Sequence, residues 1–431
     1  MDLKKKHAID IIKTLRSHGH QAFLCGGCVR DMVMRRAPVD YDLATDATPG
    51  MIQGIFKKTV PVGAAFGTLL VISSGIAYQV TTFRAGRRSV FSKDPATDVR
   101  NRDFTINALL FDPFSGEIID LVGGRADIRA GVIRAVGDPD RMFRQDCLRL
   151  MRAVRMATTL DFKIEAKTFR AVRENAGRIK KASPERVRDE LIRIMTGPAP
   201  HRGVNLLDKA GLLKVILPEI EALKGVQQPP QFHPEGDVFV HTMLLLKGLK
   251  NADRVLAFAA LLHDIGKPAT FMITDRIRFH GHEVLGGRMA EKILRRLRFP
   301  QDDIRRITQV IANHMRVMHA REMREATLKR FFLQDTAETE LALHRLDCRA
   351  SHGEMTIYRF LRRGYLKFKR TPVLPRPLLN GHGLITIGFK EGPMIGTLQR
   401  EMVDLQLEGK IRTLTQARAW AKERWIHEQK H

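Results

Sequence analysis

The N-terminal segment MDLKKKHAIDIIKTLRSHGH spaces its apolar residues three and four apart, which predicts an amphipathic helix and not an apolar leader. From Gln21 to about Val122 the pattern mixes strand-like alternation with helical periods. Leu69–Ser73 (LLVIS) and Ala77–Phe83 (AYQVTTF), joined by Ser74-Gly75, read as a hairpin. From about Asp127 to Leu223 the period is helical, with caps expected at Ser183, which precedes Pro184 at the first helical position, and at Asp208. Gly225–Pro230 (GVQQPP) reads as a linker, a further helical block runs to about Glu354, and the Pro-rich stretch Pro372–Pro377 marks a last boundary. The pattern predicts a mixed α/β part followed by helices, with no internal repeat.

Composition narrows the class. At roughly 100–200 residues per domain, 431 residues suggest two to four domains, enough to bury a core without disulfides. Four cysteines make no disulfide framework, and no apolar run approaches the ~20 residues of a membrane helix. A reduced, cytoplasmic protein with no membrane partner is the expectation. Lys and Arg outnumber Asp and Glu by 73 to 47, a net charge of +26, which points to a polyanion such as nucleic acid.

The first chemical constellation is Leu24–Asp31 (LCGGCVRD) followed by Val39–Leu43 (VDYDL). Gly26 and Gly27, between an apolar stretch and an expected helix, let backbone N–H groups approach a phosphate. Asp40 and Asp42 alternate on an expected strand, so both carboxylates face one side and suit Mg²⁺ ions that bridge substrate phosphates. Cys25 and Cys28 invite a redox or zinc reading, but one C-x-x-C supplies at most two ligands, and Cys147 and Cys348 lie far off in sequence. Together the glycines and carboxylates resemble the signature of the polymerase-β nucleotidyltransferase superfamily.

Further blocks narrow the resemblance. Asn101–Leu109 (NRDFTINAL), Asp120–Gly124 (DLVGG), Arg144–Arg155 (RQDCLRLMRAVR) and Ser183–Glu190 (SPERVRDE) resemble, in order, the motifs of class II tRNA nucleotidyltransferases and bacterial poly(A) polymerases. Asp146 and Arg149 are expected at i and i+3 on one helical face, where an acceptor beside a donor can read the Watson–Crick edge of C or A. The resemblance gives this pair the base-reading role. Arg152 and Arg155 continue the face toward the triphosphate, with Gly26, Gly27, Arg30 and Asp31. By resemblance Arg102 orients the nucleotide, and Asp103 and Asn107 contact its sugar. The sequence departs from the family at Gln79, where a third metal-site Glu is usual, and at Gln145, where a Glu precedes the base-reading Asp.

Pro61–Val71 (PVGAAFGTLLV) resembles the tRNA-specific relatives more than poly(A) polymerases, which remain the alternative. Between Phe83 and Arg102 the stretch RAGRRSVFSKDPATDVRN is shorter than the flexible loop of CCA-adding relatives. Such shortening is a trait of CC-adding relatives, and it sets the expectation that C is added more readily than the terminal A.

Downstream, His241, His263 and Asp264 (in LLHDIGK), His282, His314 and Asp347 form an ordered ligand set resembling HD-domain phosphohydrolases. A divalent metal of unspecified identity is implied there, with Lys267 as a phosphate ligand, His280 as a further candidate, and phosphatase or 2′,3′-cyclic phosphodiesterase chemistry for tRNA end repair. A nucleotide-signalling protein pairing these two folds would lack the base-reading blocks. Met355–Arg370 holds six basic residues, no acid and four aromatics. Arg359, Arg362, Arg363, Lys367, Lys369 and Arg370 are expected on RNA phosphates, and the aromatics in the core. Asn380–Gly409 resembles the C-terminal block of long bacterial CCA enzymes, with Gly383 in place of an Asp.

The resemblance thus implies an α+β protein: a polymerase-β-like head with a small mixed sheet (1–125), a helical neck and body (126–224), an HD domain (225–354) and a helical tail (355–431). The expected partners are tRNA (its 3′ end and acceptor/T arm), CTP and ATP, with Mg²⁺ at Asp40 and Asp42.

Overall fold

A computed structural model describes residues 3–63, 67–86, 90–231, 233–370 and 375–429. Ala64–Phe66 of the PVGAAFGTLLV stretch, residues 87–89 of the shortened stretch, and residues 372–374 of the Pro-rich boundary lie outside the described residues. Two compact units divide the chain, 1–221 and 222–431. No helix among the described residues is long and apolar enough to cross a membrane.

In the first unit the helix Leu3–Ser17 buries Ala8, Ile11, Ile12 and Leu15, the spacing its sequence predicts. Seven strands follow: β1 (Ala22–Cys25), β2 (Asp42–Thr45), β3 (Thr59–Gly63), β4 (Thr68–Ser73), β5 (Ile76–Thr82), β6 (Leu110–Phe111) and β7 (Ile118–Ile119). They form one mixed sheet in the order β3-β4-β5-β2-β1-β6-β7, in which β2 and β5 are parallel and the other paired neighbours antiparallel. The β4–β5 hairpin turns at Ser74 (φ 48°) and Gly75 (φ 79°). Positive φ at both central residues is the geometry of a two-residue turn matched to strand twist. Phe23, Cys25, Ala44, Phe83, Val99, Ala108, Leu110 and Val136 make a core beneath the sheet.

Several local expectations need correction. Strand β2 begins at Asp42, so Asp40 lies in the bend before it and the alternation argument does not reach it. Ser183 is the N-cap of Pro184–Met195 but makes no side-chain cap bond. Asp208 sits inside Pro200–Lys209, and the next helix starts after Gly211, whose φ of 70° supplies the reversal that a capping carboxylate cannot. The expected linker is structured: Gln228 is 1% exposed, and its N–H donates to Gly236 O at 2.8 Å. Two short ladders join the helical remainder, Val132–Ile133 with Lys163–Ile164 and Phe271–Ile273 with Ile277–Phe279.

The glycine block at residues 120–124 supports the site from behind. Asp120 accepts from the N–H groups of Gly124 and Arg125, each at 2.9 Å, starting the helix Gly124–Ala130. Asp127 on that helix accepts from Thr105 Oγ1 at 2.6 Å, pinning the turn Thr105–Asn107.

In the second unit, helices Val238–Lys247, Arg254–Leu262, His282–Arg296, Gln301–Asn313 and Ala337–Ala350 carry the histidines and Asp347. Helix Thr356–Lys369 buries Leu361 and Tyr365 and packs Phe332 against Tyr365 and Phe368. The last helices, Gly381–Ile387, Pro393–Leu407 and Leu414–Glu428, close over Leu379, Leu384, Phe389, Leu398, Met402 and Ile411.

Candidate active site and metal centre

In the first unit a cleft of about 440 Å³ is lined by Gly26, Gly27, Arg30, Asp42, Gln79, Arg102, Asp103, Asn107, Asp146, Arg149 and Arg152, and also by Arg84 and Arg186. Asp31, Asp40 and Arg155 do not line it. The Asp40 carboxylate is 84% exposed and lies 4.0 Å from Lys4 Nζ. Arg155 is turned to a buried partner, Glu190, at 2.7 Å. Asp31 holds Arg30 through Nε and Nη2 at 2.9 and 2.7 Å, and Arg30 Nη1 donates to Asn107 Oδ1 at 2.8 Å. The glycine-turn helix Gly27–Val33 is thereby tied to the Thr105–Asn107 turn.

Burial raises the Asp42 carboxyl above its usual range; Arg102 opposes this and the charge of Asp40 adds to it. Asp42 faces the cleft with the charge of Asp40 close enough to disfavour its own, a pairing that suits a hard divalent cation. Arg102 donates through Nε and Nη2 to buried Asp98 (2.9 and 2.8 Å) and through Nη1 to Asn107 O (3.3 Å). Asp103 is gripped by Arg152 Nε and Nη2 at 2.8 and 2.5 Å. Burial alone would raise its pKa, but Arg152 and Arg149 hold the carboxyl well below the carboxylate range. These arginines are fixed by acids and line the cleft with guanidinium groups of the kind that bind phosphate oxygens.

Asp146 and Arg149 do not share one helical face. Asp146 has an extended backbone (φ −144°, ψ 106°) at the joint between Pro139–Gln145 and Arg149–Leu160, and its Oδ1 accepts from Leu148 N–H at 3.1 Å. That cap breaks the helix, and the turn still brings both side chains into the cleft. Arg186, from the SPERVRDE block, donates to Asp146 Oδ2 at 2.8 Å. The sequence motifs give Arg186, Arg84 and Asp98 no role of their own. Cys25 and Cys28 are buried, and burial pushes their thiols up to about 11 and about 12, which leaves no thiolate for redox or zinc chemistry at neutral pH.

In the second unit His241, His263 and Asp347 form one group of converging ligand atoms, and Asp264, His282 and His314 another. His241 Nε2 lies 3.1 Å from Asp347, and Asp264 lies 3.1 Å from His263 Nε2 and 3.5 Å from His282 Nε2. The Nδ1 atoms of His263, His282 and His314 meet the carbonyls of Ala260, Phe279 and Ile311 at 3.0, 2.8 and 2.7 Å. A carbonyl only accepts, so each Nδ1 donates and each ring turns its Nε2 inward. His282 Nε2 and His314 Nε2 face each other at 3.3 Å, about the ligand–ligand edge of a tetrahedron with ~2.0 Å bonds. Burial lowers His314 to about 3, its ligating form. His241, His263 and Asp264 are buried, and their Nε2 and Oδ2 atoms converge with Asp347 and Lys267, a donor set that suits a cation. Glu235, which stands outside the sequence motifs, accepts from His241 Nδ1 at 2.7 Å and fixes that ring.

Lys267 Nζ binds Asp264 at 2.8 Å and Gln228 Oε1 at 2.6 Å. A cavity of about 330 Å³ that takes in Asp264, His282, His314 and Asp347 is also lined by the polar Lys267, Arg276, Arg278 and His280 and by the apolar Ile277, Phe279, Met315 and Met318. His280 belongs to neither ligand group. In the tail, Arg359, Arg363, Lys367, Lys369 and Arg370 are exposed, while Arg362 is half-buried. Arg362 and Lys369 lie 3.9 and 3.7 Å from Glu338.

The poly A polymerase head domain family matches residues 22–134, the family described as "Probable RNA and SrmB- binding site of polymerase A" matches residues 161–224, and the HD domain matches residues 237–347. An A-adding tRNA nucleotidyltransferase of Deinococcus radiodurans is 32% identical over 428 residues, 94% of this chain and 96% of the relative. A CCA-adding enzyme of Bacillus pumilus is 40% identical over 210 residues, 47% of this chain and 52% of the relative, so the match spans about half of that protein. The structure of Bacillus stearothermophilus CCA-adding enzyme in complex with CTP matches with a TM-score of 0.79 at 27% identity, covering 100% of each chain. With an end-to-end relative, three family domains in order and the same fold, the chain belongs to the family of tRNA nucleotidyltransferases and poly(A) polymerases, in a form that carries an HD domain.

Proposed function

We propose that the protein extends the 3′ end of tRNA with C, A or both, drawing on CTP and ATP and using side chains in place of a nucleic-acid template. The observation that carries this is one cleft holding Asp42, the arginines Arg102 and Arg152, and the pair Asp146–Arg149. The RNA 3′-hydroxyl oxygen bonds to the α-phosphorus, the bond to pyrophosphate breaks, and the hydroxyl proton leaves to solvent. Asp42, with Asp40 beside it, would hold Mg²⁺. When bound, that ion neutralises phosphate charge and lowers the pKa of the attacking hydroxyl. Arg102 and Arg152 orient the triphosphate, Asp103 and Asn107 lie at the sugar, and Asp146 and Arg149 meet the base.

The short stretch 84–101 supports addition of C without the terminal A, whereas the end-to-end relative is named for A addition. Full-length protein is given tRNA ending at the discriminator base or at CC, with CTP, ATP or both. Products stopping at CC support the C reading. A added only to the CC substrate supports the other. Long A tails on unrelated RNA indicate a poly(A) polymerase, and no extension overturns the proposal.

In the HD part, residues 225–354, the two ligand groups suit divalent ions, with Asp264 reaching both. Lys267, Arg276 and Arg278 suit a phosphate, and Phe279 and Ile277 a ribose or base, which supports phosphoester hydrolysis at RNA ends. Unchanged phosphatase and cyclic-phosphodiesterase activity in Asp264→Ala would exclude this. The exposed basic residues of Thr356–Lys369, with Arg370, are assigned to the tRNA backbone.

A further inference from the structure

Beside the ligand groups of the HD part stands a short hairpin, residues 271–279, that pairs Phe271 with Phe279, Met272 with Arg278 and Ile273 with Ile277. Side chains alternate between the two faces of a strand, so Ile277 and Phe279 take one face and Arg276 and Arg278 the other. Phe271, Met272 and Ile273 are 40%, 49% and 68% exposed, so the hairpin stands clear of the hydrophobic core. Ile277 and Phe279 are half-buried, and both line the cavity that takes in Asp264, His282, His314 and Asp347. Phe279 is fixed relative to those ligands. Lys267 Nζ lies 2.8 Å from Asp264 and 5.3 Å from the Phe279 ring centroid, and His282 Nδ1 donates to Phe279 O at 2.8 Å. A second segment adds Met315 and Met318 to the apolar lining. The neutral polar side chains around the cavity are engaged within the protein. Ser351 Oγ donates to Asp347 O at 2.8 Å, His352 Nδ1 accepts from Glu354 N–H at 2.9 Å, and His233 Nδ1 meets Glu235 at 2.9 Å. Arg278 is steadied by Asp275, with Nη2 at 2.8 and 2.9 Å from its two oxygens.

We infer that this hairpin is the substrate-recognition element of the HD site and admits one terminal nucleotide of any base. Ile277, Phe279, Met315 and Met318 take the base by apolar contact, and Arg276 and Arg278 meet phosphate oxygens. A cavity of about 330 Å³ is at the small end of ligand pockets, which suits one nucleotide and not a strand. Every base has an apolar face, so packing on aromatic and apolar side chains tolerates all four, whereas discrimination needs donors and acceptors aimed at a base edge. The HD site is therefore indifferent to the base that the first cleft is built to select. This rests on the reading that the HD part hydrolyses phosphoesters at RNA ends.

The test gives full-length protein, with Mg²⁺ or Mn²⁺ in turn, the 2′,3′-cyclic monophosphates of adenosine, cytidine, guanosine and uridine. A fifth substrate, methyl riboside 2,3-cyclic phosphate, keeps the sugar and phosphate and has no base. The four nucleotides should agree in kcat/KM within about fivefold, and each should exceed the base-free analogue at least about fivefold. Ile277→Ala and Met318→Ala should raise KM for all four at least about fivefold, with kcat changed less than about threefold, and narrow the advantage over the analogue. Arg276→Gln should raise KM for all five substrates. Metal retained through dialysis, circular dichroism and Tm should match wild type in each variant, which separates a lost slot from a disturbed ligand set. A preference among bases beyond about fivefold overturns the inference, as does a smaller rise in KM in both apolar variants. If wild type hydrolyses none of the five, the underlying reading fails, and saturation-transfer NMR decides the slot. Base protons of all four nucleotides saturated in wild type and not in Met318→Ala keep it; no saturation in wild type overturns it.

Discussion

Asp42 is a carboxylate whose burial raises its pKa, while the activity proposed for the cleft needs it ionised. The acid limb of kcat/KM should therefore lie above the usual carboxylate range at low Mg²⁺ and move down as Mg²⁺ saturates the site. A pH series at two Mg²⁺ concentrations reads this, and a limb that does not move removes Asp42 from metal binding. Gln79 lines the same cleft as a neutral neighbour, so it brings no third charge to sharpen the effect. Arg155 and Glu190 pair deep inside, with side chains 12% and 5% exposed. Glu190→Ala leaves an uncompensated buried cation and should cost about 3–5 kcal/mol in urea unfolding. Glu190→Gln, which keeps an acceptor, should cost less.

Glycines set how closely the elements that carry the site approach. A Cβ on Gly266 would lie 2.2 Å from His282 O and 2.9 Å from Gly286 N, both backbone atoms. Gly266→Ala must push the His263–Asp264 turn away from the helix His282–Arg296 and split the ligand groups. The protein should then lose metal retained through dialysis, measured by elemental analysis, while nucleotide addition continues. Gly124→Ala has the opposite pattern: its Cβ would meet Thr105 O at 2.2 Å and displace the turn bearing Asn107. It should lower nucleotide addition at least about tenfold and leave metal retention unchanged. Motif order in the sequence anticipated which side chains converge in each cluster, because most of them occur in recognisable blocks. The joint at Asp146 was illegible, since Gln, Asp, Cys and Leu all tolerate a helix and the break comes from a side-chain cap and a residue 40 positions away. GVQQPP reads as a linker, but its composition does not say whether the segment is buried. That was decided by Lys267 reaching Gln228.

For the molecule as a whole, the net charge of +26 divides into guanidiniums already paired in the cleft and a tail helix with exposed cations. Replacing Arg359, Arg363, Lys367 and Arg370 by Gln should flatten the salt dependence of KM for tRNA by roughly 0.7–0.9 log units per lost phosphate contact. KM for CTP should stay as it is, and an unchanged tRNA salt slope would move RNA binding off this helix. The thiols divide the chain differently. Cys25, Cys28 and Cys348 are buried, whereas Cys147 is half-buried, lines the adjoining cavity, and stands next to Asp146. A maleimide dye offered at mildly alkaline pH therefore has one favoured target in the unaltered chain. It would attach a fluorescent reporter beside the Asp146 joint with no cysteine engineered in or out.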